Sequence, residues 1–533
     1  MLPFAIQQTV ADEWTTSLYL IEAMRREFLA GRFDLYFVHT LVGGEFYPFY
    51  VFYGGALFTV LGSLALILGS WPVFLASVWA GFALVMTGGF LMARALGVGR
   101  WGSLALGGLL VVAPYTVSIL YGRGGWAELL GVGFGACALG LAARLTSRPR
   151  AHLSAEVPLL ALAVAGLAGT HNISLLLMAT VGGCVLLVLL PSLVARAPRR
   201  VGLANLGWVV GAGACGVAMV GYWLIPNLWL GLRTRLGGTG INTLAGFSDL
   251  TTVFAPWLRF TEAQASVTVA QLYGLAAPIR IYIQTETLLL VPIFVGILLA
   301  LRRRVPWRWW VTTAGLAVMT LCLTLLIDRE SLFWSLPEVF GRIQFTFRLV
   351  SYLTLVLVLL TSLVLLVGGR LVGALVVACL VWYTVLAAAQ PLVIGGTSPQ
   401  YSAPWDVSSG EPAPPFAAAG DVFLPQVVKP VTTWASSPAP LVVDATGRVA
   451  ELPPPGEYLT TVACSPLVAV VNGSLLSGAS DTGRCVVAIR PASGVQVIAP
   501  AWPLPRVAGL ALTGVGVIGW LMLTVMTVAT GRR

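Results

Sequence analysis

Long apolar runs, separated by short polar connections, recur along most of this 533-residue chain. A helix needs roughly 20 consecutive apolar residues to cross the roughly 30 Å hydrocarbon core of a bilayer. The pattern therefore predicts an α-helical polytopic membrane protein with about eleven spans, an odd number that puts the two ends on opposite faces. The predicted spans are residues 75–96, 101–119, 124–144, 155–170, 172–193, 203–226, 287–301, 310–327, 349–367, 371–389 and 505–529.

The first 74 residues follow a different pattern, which predicts an extracytoplasmic loop with interfacial helices. Residues 15–30 alternate apolar and charged positions at helical spacing, so we expect a helix that lies flat at the outer interface and ends at Gly31. Residues 49–68 are apolar enough to span. A full crossing would move every later arginine cluster to the other face, so we expect a re-entrant or interfacial helix instead. Because only eleven residues precede Asp12, we also expect that an upstream first span is missing or that a later start codon was chosen.

Arginines orient the predicted bundle, because basic residues in short loops stay on the cytoplasmic face. One assignment places every cluster inside, with Glu156 the single acidic residue among them. We therefore expect a multi-pass protein of the cell (plasma) membrane with its active site on the extracytoplasmic face. The clusters are Arg94 and Arg100; Arg144, Arg148 and Arg150; Arg196, Arg199 and Arg200; Arg302, Arg303, Arg304 and Arg308; Arg370; and Arg532 and Arg533.

Composition excludes two classes of protein. With 58% hydrophobic residues, 10% charged residues and a mean hydropathy of +0.89, the chain is too apolar for a soluble enzyme. The net charge of +10 would suit a nucleic-acid-binding protein. The basic residues, however, are spread over separate loops and form no continuous face for phosphates. No nucleic-acid partner is expected.

Residues 390–503 form a separate extracytoplasmic segment between the transmembrane core, residues 75–389, and a final helix with a cytoplasmic tail, residues 504–533. Short β-branched runs separated by turn signals such as Asn472-Gly473 predict a small β-rich domain. It is too short, and too poor in paired acids, to be catalytic alone. Cys464 and Cys485 lie together in this oxidising location, which predicts a disulfide. The other five cysteines fall inside predicted spans.

Acidic residues at the outer ends of early helices are the first candidates for a site. Asp12 and Glu13 precede the interfacial helix, and Glu128 lies where one span ends and the next begins. Carboxylates at membrane depth are costly unless they face a polar cavity or a partner. The alternative is that each acid simply ends a helix in solvent. His171, at the outer end of a span, has a similar alternative as a hydrogen-bonding group at a helix end.

Five stretches in order resemble the GT-C superfamily of integral-membrane glycosyltransferases, which includes oligosaccharyltransferases and protein mannosyltransferases, and most closely its YfhO-like branch. They are the early acid before a helix ending at Ala30-Gly31; the glycine, proline and aromatic pattern of residues 43–54; residues 121–128, similar to a YxRGxxxE motif; residues 170–174; and residues 342–348, similar to IQFPWR. Thr346 replaces the usual proline, and the family's first span is absent.

The resemblance implies roles for individual residues. Asp12, or its neighbour Glu13, would be the catalytic base, with Glu128 as the acid of the second outer loop. Arg123, Arg342 and Arg348 would bind the donor phosphate. The remaining residues of the matched stretches that would contact substrate are Glu45, His171 and Gln344. A divalent metal ion (Mg, Mn or Ca) bridging Asp12, Glu128 and the phosphate is an alternative use of the acids.

The implied function is transfer of a sugar from a polyprenyl-phosphate donor to a cell-envelope glycan or glycolipid acceptor at the extracytoplasmic face, with membrane lipids as further partners. No glycine fingerprint or paired aspartates for a nucleotide-sugar donor occur on the cytoplasmic side. Two alternatives stay open. A flippase or transporter for a lipid-linked precursor would need ionisable residues within its spans, which here contain almost none. A non-catalytic accessory membrane protein needs no site at all.

Overall fold

The computed structural model describes most of the transmembrane part of the chain. The described residues are 12–36, 38–41, 45–47, 49–51, 54–123, 125–147, 153–194, 199–231, 250–258, 261–263, 279–343, 346–397, 440–441, 458–463, 468–471, 473–480, 485–491 and 497–531.

Within these residues the fold is mostly helical. The helices are α1 (Asp12–Leu29), α2 (Gly55–Leu68), α3 (Ser70–Leu96), α4 (Arg100–Val112), α5 (Pro114–Ser118), α6 (Trp126–Thr146), α7 (Glu156–Thr170), α8 (Asn172–Leu177), α9 (Gly183–Val194), α10 (Arg199–Met219), α11 (Gly221–Gly231), α12 (Leu250–Val253), α13 (Leu290–Leu301), α14 (Trp307–Asp328), α15 (Glu330–Trp334), α16 (Val350–Thr397) and α17 (Leu504–Gly531). Ile119–Arg123 and Met178–Gly182 are π-helical turns, and Phe49–Val51, Thr287–Leu289, Glu338–Ile343 and Thr346–Leu349 are 3-10 turns.

Six of the described helices, or up to eight when two bent pairs are each counted as one span, are long and apolar enough to cross a membrane. The bent pairs are α4 with α5, at 45°, and α10 with α11, at 74°. The chain is therefore a polytopic membrane protein. Two other predicted spans fall on shorter apolar helices, Glu156–Thr170 and Thr287–Leu301, so the count of eleven stays a prediction.

Helix α16 contains two passes rather than one. Its apolar stretch of 45 residues would extend about 67 Å if straight, about twice the hydrocarbon thickness. The helix breaks at Gly369, whose φ of 60° favours glycine. Gln390 donates to the carbonyl of Pro114, while Phe347, just before α16, packs against the ring of Tyr115. The two arms therefore return to the same end of the bundle.

Small residues allow α3 and α6 to pack closely in the centre. A Cβ on Gly88 would lie 2.5 Å from Ala136, so only glycine permits this approach. Trp126 donates its indole N–H to Ser77 at 2.6 Å, at the end of the bundle where α6 begins. The two helices run parallel, as expected for spans separated by one return pass.

Helix α1 forms where predicted, and Gly31 ends it with a φ of 70° and two closing hydrogen bonds, Gly31 N to Phe28 O and Arg32 N to Glu27 O. Its surroundings differ from the prediction, because Ser17 to Met24 are buried on every side. An interfacial helix would bury one face only. Helix α2 has 14 residues, about 21 Å, which is shorter than the hydrocarbon core, and its re-entrant or interfacial placement stays a prediction.

Arg506 connects the first and last parts of the described chain. This side chain is 1% exposed, forms a 2.7 Å ion pair with Asp34 and donates to the Tyr222 hydroxyl at 3.0 Å. Its guanidinium lies 3.8 Å from the ring centre of Trp502 and 4.7 Å from that of Tyr36. These contacts attach the segment after α1 to α11 and to the start of α17.

The described strands include β1 (Val38–Leu41), β2 (Glu45–Tyr47), β5 (Pro440–Leu441), β6 (Tyr458–Ala463), β8 (Gly473–Ser480) and β9 (Cys485–Pro491). They pair in the order β1-β2-β6-β9-β8, with β5 beside β6, and β2 joins β6 in parallel. Strands β7 (Val468–Val471) and β10 (Val497–Pro500) pair separately, as do β3 (Thr261–Ala263) and β4 (Ile279–Ile281). An independent β-rich domain stays a prediction.

Candidate functional site

Glu128 is buried at the start of α6, with 3% of its surface exposed. The π-helical turn Ile119–Arg123 precedes it, and the amide of Gly125 donates to the Ile119 carbonyl at 2.7 Å, which closes the turn before α6 begins. Glu128 therefore falls in the first helical turn, where the helix dipole favours a negative charge. Tyr115 donates its hydroxyl to Glu128 Oε1 at 3.1 Å.

Arg348 forms an ion pair with Glu128. Its Nε lies 3.5 Å from Glu128 Oε2, and the two side chains are 5% and 4% exposed. Arg348 belongs to the 3-10 turn Thr346–Leu349 that leads into α16, and neighbouring Phe347 packs edge-on against Tyr115. Removing two charges from water costs several kcal/mol for each ion, so such a pair is weak evidence for stability. A buried pair of charges in a membrane protein is stronger evidence for a functional site.

One wall of the site, beside this pair, consists of His171, Ser174 and Tyr352. His171 caps α8: its Nδ1 accepts from the Ser174 amide at 3.2 Å and lies 2.8 Å from the Ser174 hydroxyl. In the neutral ring, accepting at Nδ1 leaves the proton on Nε2. Tyr352, one turn after Arg348, donates its hydroxyl to the Ser174 carbonyl at 3.2 Å. The hydrogen-bonding role expected for a histidine at a helix end is therefore observed, and its substrate-binding role stays a prediction.

Gly131 allows α8 to approach α6 beside the ion pair. A Cβ on Gly131 would lie 2.7 Å from Ser174 Cβ and 3.3 Å from His171 Cβ. Residues three apart in a helix share a face, so Gly131 and Glu128 present one surface to this wall. Together α5, α6, α8 and the start of α16 bring a carboxylate, a guanidinium, two tyrosines and an imidazole to one end of the bundle.

Sequence reasoning missed Glu286, which is fully buried one residue before the turn leading into α13. The Thr285 hydroxyl lies 3.5 Å from its Oε2 and 3.0 Å from the Thr354 hydroxyl, which belongs to the same arm of α16 as Tyr352. Burial raises the pKa of Glu286 from 4.5 to about 7, against the opposing effect of hydrogen bonds from Thr354 and Thr285. The signal available was an acid directly before an apolar run, the same signal that singled out Glu128.

The other predicted site residues are only partly described. Asp12 and Glu13 form the first turn of α1, Glu45 begins β2, Arg123 ends the π-helical turn, Arg342 is in the turn Glu338–Ile343 and Cys485 begins β9, but the side chains of all six lie outside the described part. Gln344 and Cys464 lie outside it entirely. A cavity shared by Asp12 and Glu128 therefore stays a prediction, as does the disulfide.

The metal alternative is also untested. Where side chains are described, no group of three or more His, Cys, Asp or Glu residues could hold a metal ion. The side chains of Asp12 and Glu13, which would be the metal ligands, lie outside that part, so a metal ion stays a prediction. The five cysteines predicted inside spans, Cys137, Cys184, Cys215, Cys322 and Cys379, do lie in helices.

The chain was compared with known proteins by sequence and by structure. In sequence comparisons no protein-family model and no curated protein matches the chain. A solved structure with similarity is the archaeal oligosaccharyltransferase AglB from Archaeoglobus fulgidus, in complex with an inhibitory peptide and a dolichol-phosphate, at 13% identity and a TM-score of 0.41. The match covers 84% of this chain and 62% of that one, so this chain spans less than two thirds of that protein's length.

Proposed function

We propose that this protein is a membrane glycosyltransferase that moves a sugar from a polyprenyl-phosphate donor to a cell-envelope glycan or glycolipid at the extracytoplasmic face. The observation that carries the proposal is the buried pair of Glu128 and Arg348 at one end of the bundle. A guanidinium in a nearly dry site binds phosphate oxygens strongly, and its planar fork can pair with two of them at once. The partner carboxylate holds that fork in position while no donor is bound.

In the proposed reaction the bond between the sugar's C1 and the phosphate oxygen breaks while the acceptor oxygen forms a new bond to C1. The lipid phosphate leaves with the bonding electrons, and Arg348 stabilises its developing charge. The acceptor hydroxyl gives its proton to a carboxylate, a step that contributes roughly 10²–10⁴-fold. Asp12 is the proposed base, with Glu13 as its neighbour. A divalent metal ion between Asp12 and Glu128 stays an alternative.

Tyr115 and Tyr352 are proposed to position this machinery rather than react. Tyr115 orients Glu128 through its hydroxyl, and Tyr352 holds the start of α8, which His171 caps, through the Ser174 carbonyl. The sugar would lie beside this wall, where Glu45, Arg123, His171, Arg342 and Gln344 are the proposed further contacts.

A deletion strain tests the proposal and separates it from a flippase. If the protein transfers sugar, mass analysis of envelope glycans finds one missing glycosyl residue while the lipid-linked donor accumulates on the outer leaflet. If it is a flippase, the donor accumulates on the inner leaflet instead. Complementation with Arg348→Lys should leave the defect in place, whereas Arg329→Lys, at a position with 71% side-chain exposure, should repair it. Repair by Arg348→Lys equal to wild type would contradict the assigned role.

A further inference from the structure

The end of the bundle opposite Glu128 contains a second basic site. A cavity of about 510 Å³ opens among the end of α9, the α13–α14 connection and the end of the first arm of α16. Three arginines line it: Arg303 and Arg304 of that connection, and Arg308 of the first turn of α14. From Arg348 to Val367, which also lines the cavity, is about 28 Å along α16. The cavity is therefore separate from the proposed catalytic site.

The arginines of this cavity have no acidic partner in the described part of the chain. Arg303 donates to the Val367 carbonyl, Arg308 lies 5.8 Å from the Trp307 ring centre, and no described carboxylate is within ion-pair distance of Arg303, Arg304 or Arg308. Retention of arginines on the cytoplasmic side explains their number. It does not explain why three of them surround a concave site.

The cavity walls match an amphiphilic ligand. Its apolar side includes Leu363, Leu366 and Val367 of α16, and Leu366 is 43% exposed. Trp309 lines the cavity and donates its indole N–H to the Leu363 carbonyl at 3.0 Å, and Ser192 adds a hydroxyl from α9. Trp307, whose chain neighbours Pro306 and Arg308 line the cavity, is 65% exposed, and tryptophan is enriched at the membrane interface.

We propose that this cavity binds the phosphodiester headgroup of an anionic phospholipid, with the acyl chains lying against the exposed apolar surface of α16. Basic pockets between transmembrane helices on the cytoplasmic side are suited to anionic headgroups. A soluble phosphate would use the arginines but not the apolar walls, which is why we assign a lipid. The proposal does not depend on the glycosyltransferase assignment.

Binding can be tested with the full protein in nanodiscs. Phosphatidylglycerol at about one fifth of a phosphatidylcholine bilayer is the probe, and the lipid that copurifies after mild detergent extraction is measured by native mass spectrometry. We expect one retained phosphatidylglycerol per protein. Each arginine in contact with the anionic headgroup should contribute roughly fivefold in affinity, so the triple variant Arg303→Gln, Arg304→Gln, Arg308→Gln should bind roughly 100-fold more weakly.

A control variant with the same loss of charge decides between a site and diffuse attraction. Arg100→Gln, Arg302→Gln, Arg370→Gln removes three arginines from the same end of the bundle without touching the cavity. Its three arginines do not line the cavity, and salt screens their longer-range attraction to the headgroup, so this variant should retain phosphatidylglycerol within about twofold of wild type. An equal loss in both triple variants, or retention in both, overturns the proposal.

A single-residue variant and a competition with inorganic phosphate complete the test. Arg304→Gln, a cavity residue with no side-chain contact given above, covers the case in which the triple variant does not fold, and it should weaken retention about fivefold. Inorganic phosphate at millimolar concentration should not displace the lipid. If phosphate binds with the same arginine dependence and the lipid does not, the lipid assignment is wrong.

Discussion

The central residue pair, Glu128 and Arg348, consists of two charges that are 220 positions apart in the chain and almost fully buried. The sequence indicated Glu128 by its position at the outer end of a span and Arg348 by the motif around it. It could not indicate that they touch, because that contact depends on how α6 packs against the start of α16. For the same reason, Tyr115 and Tyr352 were not predicted, and no role was predicted for Ser174 within the stretch 170–174.

The contact between Glu128 and Arg348 predicts how substitutions change the free energy of unfolding. Glu128→Gln leaves a buried guanidinium without its counter-charge, which should cost about 3–5 kcal/mol of unfolding free energy. Arg348→Gln should cost a similar amount. The double variant should cost clearly less than the sum of the two, because it leaves no unpaired charge. Chemical unfolding of the purified variants in detergent measures this coupling, and additive losses would show that the two side chains do not interact.

Burial of Glu286 should make the stability of the folded protein depend on pH. Its pKa is raised from 4.5 to about 7 in the folded protein, so between those values the folded state keeps a proton that the unfolded state has lost. Stability should therefore fall by about 3 kcal/mol as pH rises from about 4.5 to about 7. Glu286→Gln should remove this fall, and Asp328→Asn, at a partly exposed acid, should keep it. Thermal unfolding across this pH range is the measurement; identical slopes in wild type and Glu286→Gln would refute the assignment.

At the scale of elements, apolar runs and glycines predicted most of the helices. The break in α16 lies at Gly369, between the runs 349–367 and 371–389, and α1 ends at Gly31 as expected. Sequence did not predict that Ser17 to Met24 of α1 are buried on all sides, since the charged residues of this helix suggested a solvent-facing side. The buried carboxylate of Glu22 forms ion pairs with Arg25 and Arg26 and accepts a hydrogen bond from the Ser70 hydroxyl at 2.6 Å.

Close packing of α6 against α8 should be sensitive to one methyl group. Gly131→Ala would place a Cβ 2.7 Å from Ser174 Cβ, so we expect a loss of about 1–3 kcal/mol and weaker activity. Gly207→Ala in α10 is the matched control, because nothing lies within 4 Å of the added carbon. There the substitution should be neutral or stabilise by about 0.4–1 kcal/mol. Equal unfolding midpoints for the two variants would argue against the close contact.

For the whole molecule, hydropathy predicted a polytopic membrane bundle, and the described part of the chain confirms that class. Pairing of β2 with β6 was beyond prediction, since a three-residue strand has no distinctive pattern and its partner is more than 400 positions away. The side of the membrane that holds the site also cannot be inferred from packing. It rests on the distribution of arginines.

Orientation can be measured by single-cysteine labelling in a cysteine-free background. Ser335→Cys lies on an exposed turn between α15 and Arg348, whereas Arg370→Cys lies at the break of α16, and both positions are exposed. An impermeant maleimide should label Ser335→Cys in intact cells and Arg370→Cys only after lysis. The reverse pattern would place Glu128 and Arg348 on the cytoplasmic side and rule out an extracytoplasmic active site.

The most direct test of the central claim is sugar transfer by the purified protein in liposomes with a polyprenyl-phosphate-linked sugar donor and an envelope glycolipid extract as acceptor. The account predicts transfer by wild type and by Arg329→Lys, and at least a 100-fold slower reaction with Glu128→Gln or Arg348→Lys under conditions in which both variants are still folded. Transfer at wild-type rates by both site variants would contradict it.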